Sequence, residues 1–234
     1  MVQRFVDVLF SGLALLMLSP LLATVAILLR LTGEGEVLYL QERVGMDGGI
    51  FKVFKFATML KDSPMMATGT VTIKDDPRVL PMGHFLRKTK INELPQLLNI
   101  FLGQMSVVGP RPQTPRCFQA FPGDLQAVIV EVKPGLSGVG SIVFRDEESI
   151  LSDYVGSVAF YDDVIAPYKG QIEAWYVSHQ NMLSYFAVIV VTIWVVLFPS
   201  SGIVWRVFSD LPAPPDVLKQ RLNYPQSLAR GSVF

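Results

Sequence analysis

Val8–Leu29 reads VLFSGLALLMLSPLLATVAILL, an apolar run with Arg4 and Asp7 before it and Arg30 directly after it. As a straight helix it would extend about 33 Å, enough to cross the hydrocarbon core of a bilayer. It is long for a cleaved signal peptide, and no Ala-x-Ala site follows it. Ser19-Pro20 interrupts its middle. Proline removes one helical hydrogen bond and crowds the carbonyl four residues back, which predicts a kink. The freed carbonyl needs another partner, and Ser19 or a water can supply it. Two readings stay open on these residues: a kinked transmembrane helix, and a helix that dips into one leaflet and returns.

A second apolar run, Met182–Phe198 (MLSYFAVIVVTIWVVLF), is at the lower length limit for a span. Between the two lies a polar body, roughly 33–170. From Lys52 to Arg116 ten lysines and arginines face four acids; from Glu131 to Glu173 three basic residues face eight acids. The first block can meet anionic phosphates, of a lipid headgroup or of a substrate. The whole chain has 234 residues, 20 basic and 20 acidic, with 17% charged and 50% hydrophobic. Mean hydropathy is +0.40. This excludes a disordered chain and a freely soluble charged binder. A net charge of zero argues against a nucleic-acid partner, whose phosphates call for a basic surface. The single cysteine, Cys117, rules out an intrachain disulfide framework.

Local patterns fill in the body. Val37–Leu40 and Ile50–Phe56 read as strands of a hairpin turned at Asp47-Gly48-Gly49. Leu94, Leu97, Leu98 and Phe101 keep helical spacing, with Gly103 as the stop. Ser106–Val108 is a short β-prone stretch, and Gly109-Pro110-Arg111-Pro112 fixes a stiff extended turn. Residues 134–140 (PGLSGVG) read as a glycine-rich loop. Ile172, Trp175, Tyr176, His179, Met182, Leu183 and Phe186 form one helical stripe into the second apolar run. The proline-rich tail after Asp210 reads as irregular.

Two segments carry chemistry. In Thr89–Gln96, Asn92 is a good helix N-cap, and Glu93 would sit in the first turn. That local account suffices by itself. The functional alternative sets Glu93 beside Arg87, Lys88 and Lys90, holding a hard cation such as Mg²⁺ against phosphate oxygens. Arg111, between two prolines, offers a planar guanidinium on a stiff turn, suited to bidentate phosphate binding. Lys55, Arg78 and Arg87 are weaker candidates of the same kind. Asp75-Asp76 can bind a metal, or Asp76-Pro77 can be a capped turn. No zinc spacing surrounds His84, His179 or Cys117, and no Walker or dinucleotide loop is present.

Over residues 1–180 the segments together resemble the bacterial sugar transferase family, monotopic phosphoglycosyl transferases that act on polyprenyl phosphate. The resemblance is carried by Arg4…Asp7 before the apolar run with Ser19-Pro20, and by Tyr39–Gly45 (YLQERVG), which includes Arg43. Phe51–Met59 (FKVFKFATM), Asp76-Pro77-Arg78, Leu86–Thr89 and Asn92–Leu97 (NELPQL) follow in order. Met105–Pro112 (MSVVGPRP) and Pro134–Gly138 complete the set. The resemblance implies an α+β, helix-rich fold with a Pro-kinked re-entrant N-terminal helix, a small β-hairpin and interfacial amphipathic helices. It implies transfer of a sugar 1-phosphate from a UDP-sugar to polyprenyl (undecaprenyl) phosphate, with release of UMP, at the cytoplasmic face of the bacterial inner membrane, with Mg²⁺. Glu93 matches the family's metal-associated glutamate. Arg43, Lys55, Arg78, Arg87 and Arg111 are the expected phosphate contacts, and Ser19 and Pro20 the membrane break. Two positions depart. Asn92 stands where the family has a nucleophilic aspartate, and Ala57 where arginine is common. An amide is a poor nucleophile for phosphorus. The alternative is therefore a non-catalytic relative that binds polyprenyl phosphate or scaffolds glycosyltransferases. The expected organisation is an anchor over 1–32, a catalytic domain over 33–180, an apolar interfacial or inserted helix over 181–208, which can also make a homodimer contact, and an irregular tail over 209–234.

Overall fold

The computed structural model describes residues 2–66, 75–154 and 156–225. The apolar run lies inside one helix, α1 (Val2–Thr32), which stays helical through Pro20. It is long and apolar enough to cross a membrane. The carbonyl that Pro20 frees is that of Leu16, and Ser19 Oγ donates to it at 2.8 Å. This is the repair expected from the sequence, and it lets the helix continue through the proline.

One face of α1 packs on the body along its length. Ala14, Leu15 and Leu18 meet Val53, Leu97 and Ile100; Leu22, Val25, Ala26 and Leu29 meet Phe56 and Leu86. The opposite face leaves Phe5, Leu9, Leu13, Leu16, Met17, Ile27 and Leu31 exposed. The root is tied by polar contacts. Asp7, 3% exposed, accepts from Ser106 Oγ (2.9 Å), the Val107 amide (2.9 Å) and Tyr185 Oη (2.8 Å). Arg4 donates to the carbonyls of Ile100 (2.6 Å) and Phe101 (2.8 Å), which ends the following helix, α3 below.

The hairpin pairs β1 (Leu38–Val44) with β2 (Ile50–Phe56) antiparallel, Tyr39 opposite Lys55 and Arg43 opposite Phe51. Its first strand runs four residues past the expected Leu40. Asp47 (φ 57) and Gly48 (φ 73) make the turn. Period-two alternation sets Arg43, Gln41, Val53 and Lys55 on one face. Asn99, fully buried, supports β2 like a strand partner. It donates to the Lys52 carbonyl (2.8 Å) and accepts the Phe54 amide (2.9 Å). Asn99 belongs to α3 (Gln96–Leu102), which follows α2 (Pro81–Lys88) and closes at Gly103 (φ 89) as read from the sequence.

β3 (Ser106–Val108) pairs in parallel with β4 (Gly135–Ser137). The glycine-rich segment is thus partly a strand, a correction to its reading as a loop. Helices α4 (Pro115–Gln119) and α5 (Gly123–Ile129) lie between the two strands; α6 (Val139–Val143), α7 (Glu147–Ser152) and α8 (Ser157–Phe160) follow. A π-turn, Tyr161–Ile165, leads into α9 (Ala166–Ser178).

The expected continuous stripe from Ile172 to Phe186 is broken. α9 stops at Ser178 and α10 (Met182–Leu197) starts afresh. A reciprocal capping box is the cause: Asn181 Oδ1 accepts the Ser184 amide, and Ser184 Oγ accepts the Asn181 amide, each at 2.9 Å. α10 buries Tyr185, Val188, Val191 and Val195, while Leu183, Val190, Ile193, Val196 and Leu197 stay exposed. The tail is also less irregular than its prolines suggest. A helical turn, α11 (Val204–Val207), and another, α12 (Asp216–Lys219), hold Trp205, Leu218 and Leu222 in the same core as α9 and α10.

Asp7→Ala leaves three buried donors around Ser106, Val107 and Tyr185 without their acceptor. We expect a loss of roughly 2–4 kcal/mol, since each orphaned buried donor costs about 1–3 kcal/mol before relaxation. Thermal unfolding in detergent measures it, and an unchanged transition would show that the network does not pin the helix.

Candidate functional site

The expected N-cap is not formed. Lys90, in left-handed conformation (φ 59), starts a tight turn over Ile91–Glu93, and α3 begins only after Pro95. Asn92 caps nothing. Its side chain is buried, and its Oδ1 has no hydrogen-bond partner among the described residues. The turn instead delivers Glu93 to the inner face of the hairpin.

There Glu93 Oε1 accepts from Arg111 Nη2 at 2.8 Å and lies 3.6 Å from Lys55 Nζ. Oε2 carries no hydrogen bond among the described residues. Burial would push the carboxyl up. The charges of Arg111 and Lys55 and the hydrogen bond from Arg111 override it, holding the group well below the usual carboxylate range. The Glu93 charge in turn raises Arg111. Lys55 is pushed down to about 7, by burial first and then by Arg43. Burial and the Arg111 charge lower Arg43 to about 10. One carboxylate thus sits among several cations that repel one another, an arrangement suited to incoming anionic oxygens.

The Arg111 turn is held on every side. The Gly135 amide donates to the Pro110 carbonyl (2.8 Å), Arg43 Nη1 to the Pro112 carbonyl (2.7 Å), and Gln113 Nε2 to the Arg111 carbonyl (3.2 Å). The Arg111 amide donates to Glu173 Oε1 at 3.1 Å.

The structure brings together Glu93, Arg111, Lys55 and Arg43, with Asn92 adjacent in the chain. Arg87 stands at the edge: its Nη2 is paired with Glu148, and its charge reaches Lys55. Arg78 is elsewhere employed. It is 1% exposed, and its guanidinium donates to both carboxylate oxygens of Asp76 and to the carbonyls of Ser63 and Met66. Asp76 also accepts the Arg78 amide at 3.0 Å, so the capped-turn reading of Asp76-Pro77 holds over the metal reading. Arg78 clasps the segment after β2 rather than facing Glu93. Sequence reasoning missed Glu173; a carboxylate within an apolar helix stripe was its only signal.

Among the described residues no three His, Cys, Asp or Glu side chains gather to hold a metal ion. Mg²⁺ needs fewer. It commonly takes one or two carboxylates and completes its shell with substrate phosphates and water. Glu93, with Oε2 uncommitted, fits that pattern.

A family model described as bacterial sugar transferase matches residues 1–199. A UDP-glucose:undecaprenyl-phosphate glucose-1-phosphate transferase of Klebsiella pneumoniae is 39% identical over 146 residues, covering 60% of this chain and 30% of that protein. The exopolysaccharide production protein ExoY of Rhizobium meliloti is 34% identical over 190 residues, covering 72% of this chain and 83% of that protein. A UDP-galactose-lipid carrier transferase of Erwinia amylovora is 33% identical over 200 residues, covering 79% of this chain and 38% of that protein. The matched part of the chain thus spans about a third of the length of the Klebsiella pneumoniae and Erwinia amylovora relatives.

Lys55 yields a pH test. The folded protein releases this proton near pH 7, whereas an unfolded lysine keeps it to about 10.5. Between those values the unfolded chain binds more protons, so stability rises with pH. Lys55→Met removes the rise, measured as melting temperature against pH from 7 to 10. A variant with the parental slope would show that Lys55 titrates normally.

Proposed function

The chain belongs to the bacterial sugar transferase family, and on that premise we propose that it transfers a sugar 1-phosphate from a UDP-sugar to undecaprenyl or another polyprenyl phosphate. The products are a polyprenyl diphosphosugar and UMP. The observation that carries this reading is the Glu93 carboxylate held against Arg111 and Lys55, with Arg43 behind them.

Two anionic substrates must meet here. Arg111 and Lys55 would bind the diphosphate and offset its charge, and the stiff turn would hold the guanidinium in place without reorganisation. An oxygen of the lipid phosphate attacks the phosphorus that bears the sugar. The bond from that phosphorus to the bridging oxygen breaks, and UMP departs with the electron pair. Such a transfer depends on alignment and charge stabilisation more than on a protein nucleophile. That suits Asn92, whose neutral amide is poorly fitted to attack phosphorus. Mg²⁺, when bound, would be held by Glu93 with substrate phosphate oxygens and would neutralise charge developing on the diphosphate.

Its proposed seat is the cytoplasmic face of the bacterial inner membrane. α1 lies against the body from Val6 to Leu29, with its apolar back exposed. A helix fastened along its length to a polar domain is poorly suited to cross alone, which supports a monotopic, re-entrant placement broken at Ser19-Pro20. The exposed apolar face of α10 supports shallow insertion beside it.

Asn92 favours one second reading: a relative that binds lipid phosphate without turnover. Purified full-length protein with Mg²⁺, undecaprenyl phosphate and a panel of UDP-sugars is expected to release UMP. Glu93→Ala and Arg111→Ala should each reduce release by about 10²–10³-fold, the usual range for losing one preorganised charge contact, with melting transitions intact. Lipid-phosphate binding without UMP from any sugar would establish the second reading. A large rate gain in Asn92→Asp would mean that the native chain lacks its nucleophile.

A further inference from the structure

Glu173 lies midway along α9, fully buried, at a point the reaction above does not use. Its Oε1 accepts the Arg111 amide. Pro110 and Pro112 have no N–H, so this is the one backbone donor within Pro110–Pro112, and Glu173 takes it. The approach is built by glycines. A Cβ at Gly140 would stand 2.2 Å from Glu173 Oε1, and a Cβ at Gly138 would stand 2.2 Å from the Gly109 carbonyl oxygen. A side chain at 138 would push the 109–112 turn aside, and one at 140 would drive the Glu173 carboxylate off the Arg111 amide. The glycine-rich segment that follows Pro134 therefore has a local purpose: it opens a slot through which a helix carboxylate reaches the back of the arginine turn.

Glu173 is costly to hold there. Burial pushes its carboxyl up to about 7, against the pull of the Arg111 amide and the charges of Lys169 and Arg111, while Glu147 adds to the rise. Oε2 has no hydrogen-bond partner among the described residues, and neither has the hydroxyl of Tyr176, one turn further along α9. A core built for stability alone would place a leucine or glutamine at this point. Among the described residues, the one hydrogen bond the carboxylate makes is to the turn that aims Arg111.

We propose that Glu173 is a positioning residue: through the Arg111 amide it sets the guanidinium that meets Glu93 and the substrate diphosphate. The inference rests on the transferase reading for its substrate, but its central contact exists in the protein alone.

The test compares Glu173→Ala with Glu173→Gln in the full-length chain. Glutamine keeps an acceptor at Oε1; alanine removes it. Amide hydrogen exchange of the peptide spanning 107–113, read without ligand, is expected to speed at least fivefold in Glu173→Ala and to stay near the parental rate in Glu173→Gln. UDP affinity by calorimetry should fall about tenfold in the first variant and be kept in the second. In turnover, KM for the UDP-sugar should rise more than kcat falls. Should the alanine variant fail to fold, Glu173→Asp, whose shorter side chain cannot reach the amide, takes its place with the same expected outcome. Parental exchange in a folded Glu173→Ala or Glu173→Asp variant overturns the proposal, and so does equal impairment of the alanine and glutamine variants. If the parent protein neither binds UDP nor releases UMP, the transferase reading fails, while the exchange result still decides the role of Glu173.

Discussion

The carboxylate of Asp7 joins the apolar part of the chain to the polar part. It stands at the root of a helix whose other face is hydrocarbon, yet it is buried and accepts three hydrogen bonds. Two come from the first residues of β3 and one from α10. β3 leads within three residues to the Arg111 turn. The orientation of the apolar helix α1 and the position of the site's arginine are therefore fixed at adjacent points of one short strand. Buried carboxylates are held at least cost where their oxygens are satisfied. This one is, and its partners come from elements about a hundred and nearly two hundred residues away.

The same rule shapes the site, in looser form. Glu93 satisfies one oxygen with Arg111 and Lys55 and leaves the other open. Arg43 and Lys55 share a hairpin face because strand periodicity puts them there, and β1 and β2 stay in register through the turn at Asp47-Gly48. Arg43 then reaches across to the Pro112 carbonyl, so the hairpin and the arginine turn brace each other. Arg78 provides the contrast. It comes from a segment with the same family resemblance, but each donor described for it is met by a carboxylate or a carbonyl. Nothing in residue type distinguishes the two arginines. What separates them is a neighbouring acid: Asp76 lies two residues before Arg78 and closes a local ring, whereas the prolines around Arg111 give it no local partner and send its side chain to Glu93.

Elements whose cause is local were legible in the sequence: the apolar helix with its Ser19 repair at Pro20, the hairpin, the stop at Gly103, the stiff turn at Arg111. Elements whose cause is tertiary were not. Gly135–Ser137 becomes a strand only because β3 lies beside it. Asn92 has the chemistry of a cap, but Lys90 enters the left-handed region first and starts a different turn. The apolar stripe through α9 and α10 has continuous spacing, yet the Asn181–Ser184 box outweighs spacing by satisfying donors that a continuous helix would have to reassign. Glu173 was invisible because its meaning depends on two glycines some thirty residues earlier.

The amide at position 92 also changes the charge of the site. An aspartate there would place a second anion next to Glu93, and the two would divide the field of Arg111, Lys55 and Lys90 between them. With asparagine, Glu93 is the one acid this turn offers those cations; Arg43 stands close by, and Arg87 is paired with Glu148. The surplus is positive in a partly desolvated setting, where a charge is worth more than in water. Lys55 is pushed down to about 7, by burial first and then by the Arg43 charge. Under the proposed transfer, two phosphorylated substrates would bring several negative charges, and their arrival would relieve the repulsion among the cations. On that reading, what the site forgoes in nucleophilicity at residue 92 it would gain in attraction for the two anions the transfer must hold side by side.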